Sequence, residues 1–320
     1  MRVKYFKSAV SKFILLSSIG SAGFYLGRKS VENRELKNIF CDEKINLKSK
    51  PGLPVFSTVS AAALIPRNEF SDKPTIVSQE SRVSQIMRFG FPSLDNVRSF
   101  DDFILSYDKR TRTANWVFEH LTPDHVKHND DVDRSKCDFK VDESIHPFFR
   151  AENSDYKKSG YDRGHLAAAG NHKRHQKHME QTFYLSNMSP QVGKGFNRDS
   201  WNRLERYVRK LTKLYPNVYV CTGPLYLPRK EADGKLYVKY EVIGDKNVAV
   251  PTHFFKVVVG ESADGKLVME SYVMPNQVIS DDTPLDNFKV PPESIERAAG
   301  LLFFDKVNRK FLKAINGKNV

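Results

Sequence analysis

One histidine and two distant side chains in this sequence could together hydrolyse a phosphodiester bond. His165 follows an Asp-Arg-Gly turn, Asn197 comes 32 residues later, and Glu205 comes 40 residues after the histidine. Histidine is the natural base for deprotonating water near neutral pH. The amide oxygen of an asparagine suits a hard ion such as Mg²⁺, which prefers oxygen ligands and keeps several waters. These residue types therefore predict hydrolysis assisted by one metal ion.

The spacing around Asn197 indicates how its side chain could be held. Asn197, Trp201 and Glu205 are four residues apart, so a helix that begins near Asn197 would carry them along one face. Taken singly, each residue also has an ordinary interpretation: His165 as a structural histidine, Asn197 as a helix cap, and Glu205 as a solvent-facing carboxylate. Their combination favours the chemical interpretation.

Three further histidines, His172, His175 and His178, could share one side of a helix and so suggest a zinc site. No HExxH motif and no nearby cysteine or carboxylate in ligand register accompanies them. Basic residues are interspersed with them: Lys173, Arg174 and Lys177. We therefore predict a basic surface that is solvated or faces phosphate, and zinc binding is the minor alternative.

The pattern of apolar residues predicts an α+β domain with a mixed, largely antiparallel central sheet flanked by helices. Strands are predicted at 103–108, 114–120, 218–222, 236–242, 254–259 and 267–273. The run 183–187 also resembles a strand. A helix with one apolar stripe is predicted at 199–214, and shorter helices are predicted at 172–181 and 294–299. Residues 121–160 form a polar connection, and the chain from Lys313 onward is expected to be frayed.

The charge of the chain favours an acidic partner. The net charge of the 320 residues is +13 and the isoelectric point is about 9.5, so nucleic acid, an anionic membrane and an acidic substrate are candidates. The first 50 residues hold eleven Lys or Arg against four Asp or Glu. The first thirty contain no acidic residue and surround a short apolar run, which indicates a mitochondrial targeting segment. A secretory signal and a membrane anchor are the alternatives.

The three cysteines, Cys41, Cys137 and Cys221, lie far apart in the sequence. This spacing provides neither a disulfide framework nor a CxxC zinc site. A reduced compartment is the simplest interpretation, and an isolated disulfide is left open.

Taken together, these segments resemble the DRGH family of non-specific DNA/RNA endonucleases, whose active site is a ββα-metal motif. The run 162–165 is the family's signature, and the runs 184–187, 190–191 and 197–205 follow in the family's order. Segments around Cys137 and Cys221, and the runs 248–257 and 294–303, are similar to the endonuclease G branch of this family. The resemblance covers roughly residues 80–305.

The resemblance implies a role for each matching residue. His165 would be the general base, and Asn197 would be the sole protein ligand of Mg²⁺, for which Mn²⁺ is a plausible substitute. Glu205 would orient metal-bound water, and Asn187 would lie in the immediate surroundings of the active site. An upstream arginine would contact the phosphate, and Arg134 is the candidate for it.

The first three residues of the motif, Asp162, Arg163 and Gly164, are expected to support the histidine. Because Gly164 has no side chain, we expect it to let the substrate backbone approach closely.

The resemblance implies Mg²⁺-dependent hydrolysis of DNA and RNA to 5′-phosphate and 3′-hydroxyl ends, through contacts to the phosphate backbone. It also implies a homodimer, a mitochondrial location, and release to the nucleus during cell death to degrade DNA. The alternatives are a secreted scavenger nuclease of the same fold and a catalytically silent nucleic-acid-binding relative. Membrane association would be confined to the N-terminal segment.

The domain organisation follows from these assignments. We assign residues 1–50 to a mitochondrial targeting segment and tether, 51–75 to a linker, 76–310 to the nuclease domain and 311–320 to a tail.

Overall fold

The computed structural model of the protein describes residues 80–320, apart from the side chain of Arg309. The predicted targeting segment and tether (1–50), the predicted linker (51–75) and the first residues of the predicted nuclease domain lie outside the described residues. Between residues 80 and 320, no helix combines the length and apolar character needed to cross a bilayer.

A central eight-stranded sheet forms the framework of the described residues. Neighbouring strands are antiparallel except for one parallel pair near the C-terminus. In order across the sheet the strands are β1 (Val97–Ser99), β2 (Phe103–Asp108), β3 (Thr113–Leu121), β6 (Asn217–Leu225), β11 (His253–Glu261), β12 (Leu267–Pro275), β13 (Leu312–Ile315) and β14 (Lys318–Asn319). The prediction of a mixed, largely antiparallel sheet is confirmed.

Within residues 80–320, three two-stranded sheets and six α-helices surround this framework. The small sheets pair β4 (Tyr161–His165) with β5 (Met188–Val192), β7 (Arg229–Lys230) with β8 (Leu236–Tyr237), and β9 (Val242–Ile243) with β10 (Val248–Ala249). The helices are α1 (Arg82–Ile86), α2 (Pro123–Val126), α3 (Asn153–Tyr156), α4 (Gln176–Gln181), α5 (Ser200–Leu211) and α6 (Pro292–Ala299).

Both faces of the central sheet are buried in hydrophobic cores. Successive strand residues point to opposite sides, so each strand contributes to both cores. Leu105 and Val220 lie in one hydrophobic core, whereas the adjacent Ile104 and Tyr219 lie in the other. The first core is covered by α5, and the second is covered by α1 and α6. The sheet is therefore the middle layer between two sets of helices.

Helix α5 buries the apolar stripe that its sequence predicts. Leu204, Val208 and Leu211 all lie in the first core, and Trp201 lies beside them with no exposed surface. The predicted helix 199–214 is confirmed with slightly shorter bounds. The opposite side of α5 remains available to polar side chains.

Two strand predictions were wrong in detail. The run 236–242 alternates in polarity but breaks into β8 and β9, and Leu236 and Val238 are 68% and 51% exposed because no sheet covers them. The run 183–187 ends in a 3₁₀ turn, Leu185–Asn187, and the strand β5 begins only afterwards.

The C-terminal residues, expected to be a frayed tail, form β13 and β14. Asn316 and Gly317 connect them with φ angles of 50° and 79°. An Asn-Gly pair with positive φ is a strong hairpin signal, which the sequence analysis overlooked. Apolar residues of β13 pair with the otherwise open edge of β12 in parallel register.

Replacing Leu204 by alanine should destabilise the fold, because the side chain has no exposed surface and its loss leaves a cavity. We expect Leu204→Ala to lower the free energy of unfolding by about 2–5 kcal/mol. Arg206→Ala, on the exposed side of the same helix, should change it by less than about 0.5 kcal/mol. Urea unfolding of both variants measures the difference, and equal effects would contradict the proposed packing of α5.

Candidate active site

A pocket of about 980 Å³ opens beside the paired strands β4 and β5 and the start of α5. Of the predicted residues, it is lined by His165, Asn197, Glu205, Arg134, Asp162 and Arg163. Asn187 and Gly164 are not among the residues that line it. The structure thus brings together a base, an amide and a carboxylate that are far apart in the sequence.

The charge of the pocket is strongly positive. Its lining holds five basic side chains and two carboxylates: Arg134, Lys157, Arg163, Arg198 and Arg209 against Asp162 and Glu205. A surplus of cations in a concave site attracts polyanions and holds phosphate groups.

A ββα arrangement positions the pocket residues. Strand β4 pairs antiparallel with β5, so that His165 lies opposite Met188 and Tyr161 lies opposite Val192. The chain then passes through a kinked turn, Gly193–Asn197, before α5 begins at Ser200. Strand β4 carries His165, and the turn after β5 carries Asn197. Pairing of the two strands therefore brings both side chains to the same pocket.

His165 is buried beneath aromatic side chains. The edge of its ring meets Phe183 with 4.7 Å between ring centroids, and the residue is only 9% exposed. Burial lowers the pKa of His165 to about 3, and the positive charges of Arg134 and His172 act in the same direction. Its Nε2 has no hydrogen-bond partner among the described residues. The ring is therefore neutral at neutral pH and can accept a proton.

Asn187 supports the segment that follows the histidine. It is completely buried, its Oδ1 accepts from the Ala167 amide at 2.9 Å, and its Nδ2 donates to the carbonyl oxygens of Ala167 and Thr182. Its backbone carbonyl also accepts from Leu166 N. The predicted place of Asn187 next to the active site thus corresponds to a side chain behind the pocket, bonded to backbone.

Asp162 determines which way the Asn197 amide faces. Its Oδ2 accepts from Asn197 Nδ2 at 2.9 Å, and the same carboxylate accepts two bonds from Arg198. Because a carboxylate can only accept, the NH₂ end of Asn197 is fixed towards Asp162. The amide oxygen is therefore turned away from Asp162 and is free to bind a cation.

The prediction that Asn197, Trp201 and Glu205 share one helix face was wrong. Helix α5 begins only at Ser200, because Asp199, with a φ of −122° and a ψ of −91°, lies outside helical geometry between Asn197 and the helix. Trp201 points into the core, where its ring lies 5.6 Å from that of Phe196. Asn197 is consequently held in a turn between two buried aromatic anchors.

Glu205 lies on the pocket side of α5 in a mixed electrostatic environment. Burial raises the pKa of Glu205, while the positive charges of Lys256 and Arg209 oppose that shift. Lys256 is itself 1% exposed, donates to Thr222 Oγ1, and lies 5.0 Å from the centre of the Trp201 ring. Neither cation was predicted from the sequence. For Arg209 a signal existed, because it follows Glu205 by four residues and so shares its helix face.

Arg134 stands at the rim of the pocket. It begins a 3₁₀ turn, Arg134–Lys136, that Asp133 caps by accepting from the Ser135 amide. Its guanidinium lies 5.6 Å from the centre of the Phe183 ring, on the aromatic group that also contacts His165. Cys137 follows this turn as a free thiol, and Cys221 is free and buried.

Arg163 is fixed in the pocket wall by two contacts. Its Nη1 donates to Asn153 Oδ1 at 2.6 Å, and its guanidinium lies 4.1 Å from the centre of the Phe139 ring. Both partners belong to the connection between residues 121 and 160. This long polar segment therefore contributes part of the pocket.

Gly164 meets a protein side chain and not an open approach route for the substrate backbone. A Cβ atom at this position would overlap the side chain of Gln191 on the paired strand. The expectation that Gly164 admits the substrate backbone was wrong, because the space beside it is filled. Glycine is required here for the packing of β4 on β5.

His172 lies in a buried ionic network behind the pocket. Its Nδ1 donates to Asp102 Oδ2 at 2.8 Å and its Nε2 donates to Glu119 Oε1 at 2.9 Å. Hydrogen bonds and charge from these carboxylates raise the pKa of His172 to about 9 against the opposing effect of burial. The expectation that His172 faces solvent or phosphate was wrong, whereas His175 is exposed. Across residues 80–320, no His, Cys, Asp and Glu cluster could hold a metal ion.

The donor set of the pocket fits a hard metal ion. Asn197 presents an amide oxygen, because Asp162 occupies its nitrogen, and Glu205 supplies carboxylate oxygens. Oxygen ligands of this kind, few in number, suit an ion that keeps most of its waters. Asn197 and Glu205 are the residues of the pocket that could hold such an ion, directly or through water.

The chain matches known proteins along most of its length. The model of the DNA/RNA non-specific endonuclease family matches residues 82–310. The mitochondrial endonuclease G of Caenorhabditis elegans is 51% identical over 279 residues, which cover 84% of this chain and 91% of that protein. The mitochondrial endonuclease G of Homo sapiens is 54% identical over 223 residues, which cover 70% of this chain and 74% of that protein.

A solved structure gives the same picture. The crystal structure of an EndoG/EndoGI complex, described as showing the mechanism of EndoG inhibition, matches with a TM-score of 0.75 and 72% identity. The match covers 76% of this chain and 99% of that chain. The predicted fold class, with its ββα motif, is confirmed.

The charge on His172 predicts a fall in stability on the alkaline side. Its pKa is about 9 in the folded protein against 6.5 ordinarily, so the stabilisation is complete below about pH 6.5 and is lost as pH rises through 9. The pKa of Asp102 is held well below its usual range, so this carboxylate stays ionised throughout that window. Urea unfolding at pH 6 to 9 should show the decline. His172→Gln should flatten it and His175→Gln should not, and an unchanged slope in His172→Gln would contradict the assignment.

Proposed function

Because the chain belongs to the DNA/RNA non-specific endonuclease family and is therefore a nuclease, we propose that it hydrolyses DNA and RNA with Mg²⁺. The products are 5′-phosphate and 3′-hydroxyl ends. The observation that carries this proposal is the pocket itself. A neutral histidine, whose buried Nε2 has no hydrogen-bond partner within residues 80–320, lines the same cavity as an asparagine whose amide oxygen faces away from Asp162.

The positive lining of the pocket supports a substrate recognised by its phosphates. Five basic side chains and two carboxylates surround the cavity. Phosphate is common to DNA and RNA, and contacts to it carry no base-sequence information. The proposed enzyme therefore cuts both polymers, and its binding weakens as salt rises.

His165 acts as the general base. Its imidazole takes a proton from water as the water oxygen forms a bond to phosphorus, and the bond from phosphorus to the 3′ oxygen breaks. The 3′ oxygen takes a proton from solvent to give the 3′-hydroxyl, and the histidine returns its proton to solvent. The low pKa of the free residue, about 3, reflects burial and the nearby charge of Arg134. A bound phosphate opposes this shift by adding negative charge, so the base strengthens when substrate is present.

Asn197 is the proposed protein ligand of Mg²⁺, or of Mn²⁺ as a substitute. When bound, the ion supplies positive charge that offsets the charge developing on the phosphate and the leaving oxygen. Asp162 keeps the amide in the orientation that this role requires, and Glu205 accepts hydrogen bonds from water in the pocket. The family is metal-dependent in general.

Arg134 and Asn187 have different roles. Arg134 is exposed at the rim of the pocket, where its guanidinium can pair with a phosphate oxygen. Asn187 does not line the pocket, and we assign it to positioning through the backbone of Ala167. A catalytically silent relative would be expected to lack His165 or Asn197, and both are present.

We place the enzyme in mitochondria, with the endonuclease G branch as its model. Its relatives from Caenorhabditis elegans and Homo sapiens are named mitochondrial, and the first thirty residues of this chain are basic and free of acidic residues. A homodimer, and release to the nucleus with DNA degradation during apoptosis, belong to the same proposal.

Removing the base should abolish most cleavage. Loss of a general base typically costs about 10²–10⁴-fold in rate, so His165→Ala should cut supercoiled plasmid at least about 100-fold more slowly. EDTA should stop the unmodified enzyme, and added Mg²⁺ should restore it. His175→Ala, an exposed histidine outside the pocket, serves as the matched control. Near-normal cleavage by folded His165→Ala would refute the role of this pocket.

The orientation of Asn197 can be tested through its partner. Asn197→Ala should weaken Mg²⁺ binding and slow cleavage together. Asp162→Asn should shift the Mg²⁺ concentration needed for half-maximal cleavage upwards by roughly 10–100-fold, because an amide no longer fixes the Asn197 nitrogen. Cleavage measured over a Mg²⁺ titration distinguishes this from a loss of rate at saturating metal. An unchanged Mg²⁺ requirement in both variants would place the ligand elsewhere.

A further inference from the structure

Arg209 reaches the pocket from α5 and is held from behind by a single asparagine. Its Nη1 donates to Asn171 Oδ1 at 3.1 Å. Its guanidinium also lies against Gly170, where an added Cβ would come within 3.1–3.2 Å of Nη1 and Cζ. The end of a long, flexible side chain is thus held by the turn Ala169–Asn171, while the charge of Glu205 attracts it from its own helix.

The Asn171 amide has only one orientation that satisfies its partners. Its Nδ2 donates to Glu119 Oε1 at 2.9 Å, and an ionised carboxylate can only accept. The amide oxygen must therefore point the other way, to Arg209. Both Asn171 and Glu119 are buried, at 2% and 0% exposure, so water does not compete for these bonds.

The charge of Glu119 is balanced within the fold. His172 Nε2 donates to the same Oε1 atom at 2.9 Å, and Asp102 holds the other nitrogen of that ring. The positive charge of Lys256 also interacts favourably with Glu119. The Glu119 carboxylate is thus paired with His172 and Lys256, and it accepts from Asn171 at the same time.

We propose that Asn171 is a positioning residue that holds Arg209 in the cleavage pocket, with Glu119 setting the orientation of its amide. This inference rests on the proposed function of the pocket. An arginine has five N–H donors, so one bond to Asn171 leaves others to contact a phosphate. Asn171 does not line the pocket, and its effect on the reaction passes through Arg209.

A double-mutant cycle separates positioning from a structural role. A hydrogen bond to a charged group has an energy equivalent to roughly 10–100-fold in rate, so Asn171→Ala should lower kcat/KM by about that factor. In an Arg209→Ala background the same change should cost less than about threefold, because its target is gone. Equal losses in both backgrounds, or no loss in either, would overturn the proposal. Thermal unfolding of each variant reports stability separately.

The matched control is Asn217→Ala. Like Asn171, Asn217 is an asparagine that donates to a glutamate, Glu261, but its oxygen accepts from His120 and not from a side chain of the pocket. It should lower the Tm and leave kcat/KM within about twofold. If Asn171→Ala fails to fold, Asn171→Ser takes its place in the cycle, since a serine side chain cannot span from Glu119 to Arg209. A loss with Asn171→Ser that is equal in both backgrounds would again overturn the proposal.

The plasmid assay of His165→Ala, run beside the cycle, distinguishes failure of this inference from failure of the proposed function. If the pocket were not the cleavage site, His165→Ala would retain activity in the same plasmid assay. If only the positioning inference were wrong, His165→Ala would be inactive while the losses at Asn171 and Arg209 were additive.

Discussion

The pocket depends on an interaction in which an ionised carboxylate accepts a hydrogen bond from an asparagine amide. Asp162 accepts from Asn197, and Glu119 accepts from Asn171. Carboxylate oxygens cannot donate, so each contact removes the ambiguity of an amide whose two ends are nearly identical in shape. In both cases the amide oxygen is turned to where a positive charge is held or expected. Each carboxylate thus fixes the geometry of the pocket through the side chain of an asparagine.

Polar and charged groups on the face of the central sheet that α5 covers make the contact between Glu119 and Asn171 possible. Glu119 on β3, Thr222 on β6 and Lys256 on β11 lie beneath α5, and strand register places Lys256 opposite Thr222. Burying such charges costs free energy unless they are paired, and a buried ion pair is weak evidence for stability. Here the paired charges hold one wall of the cavity in place. The same face of the sheet therefore provides both an apolar core and a polar support, because Glu119 lies between Val117 and Leu121 of that core along β3.

The sequence predicted those parts of the fold that depend on local periodicity and those parts of the site that depend on residue type. The strands 103–108 and 254–259 and the stripe of α5 were evident because their neighbours in sequence carry the pattern. The position of His172 was not, since its partners lie 53 and 70 residues away. The filled space beside Gly164 depends on which residue the paired strand places there. Burial and interaction partners depend on residues that are far apart in the sequence, so they become evident only once the fold is known.

The parallel pairing of β13 with β12 has a consequence for the order in which the molecule is completed. Residues 267–269 of β12 receive their outer neighbour only from residues 312–315, close to the end of the chain. During synthesis this edge of β12 therefore stays unpaired until residues 312–315 have left the ribosome, and an open edge is a template for pairing with other chains. The Asn316-Gly317 turn then folds β14 back over β13, so that the edge finally exposed is only two residues long.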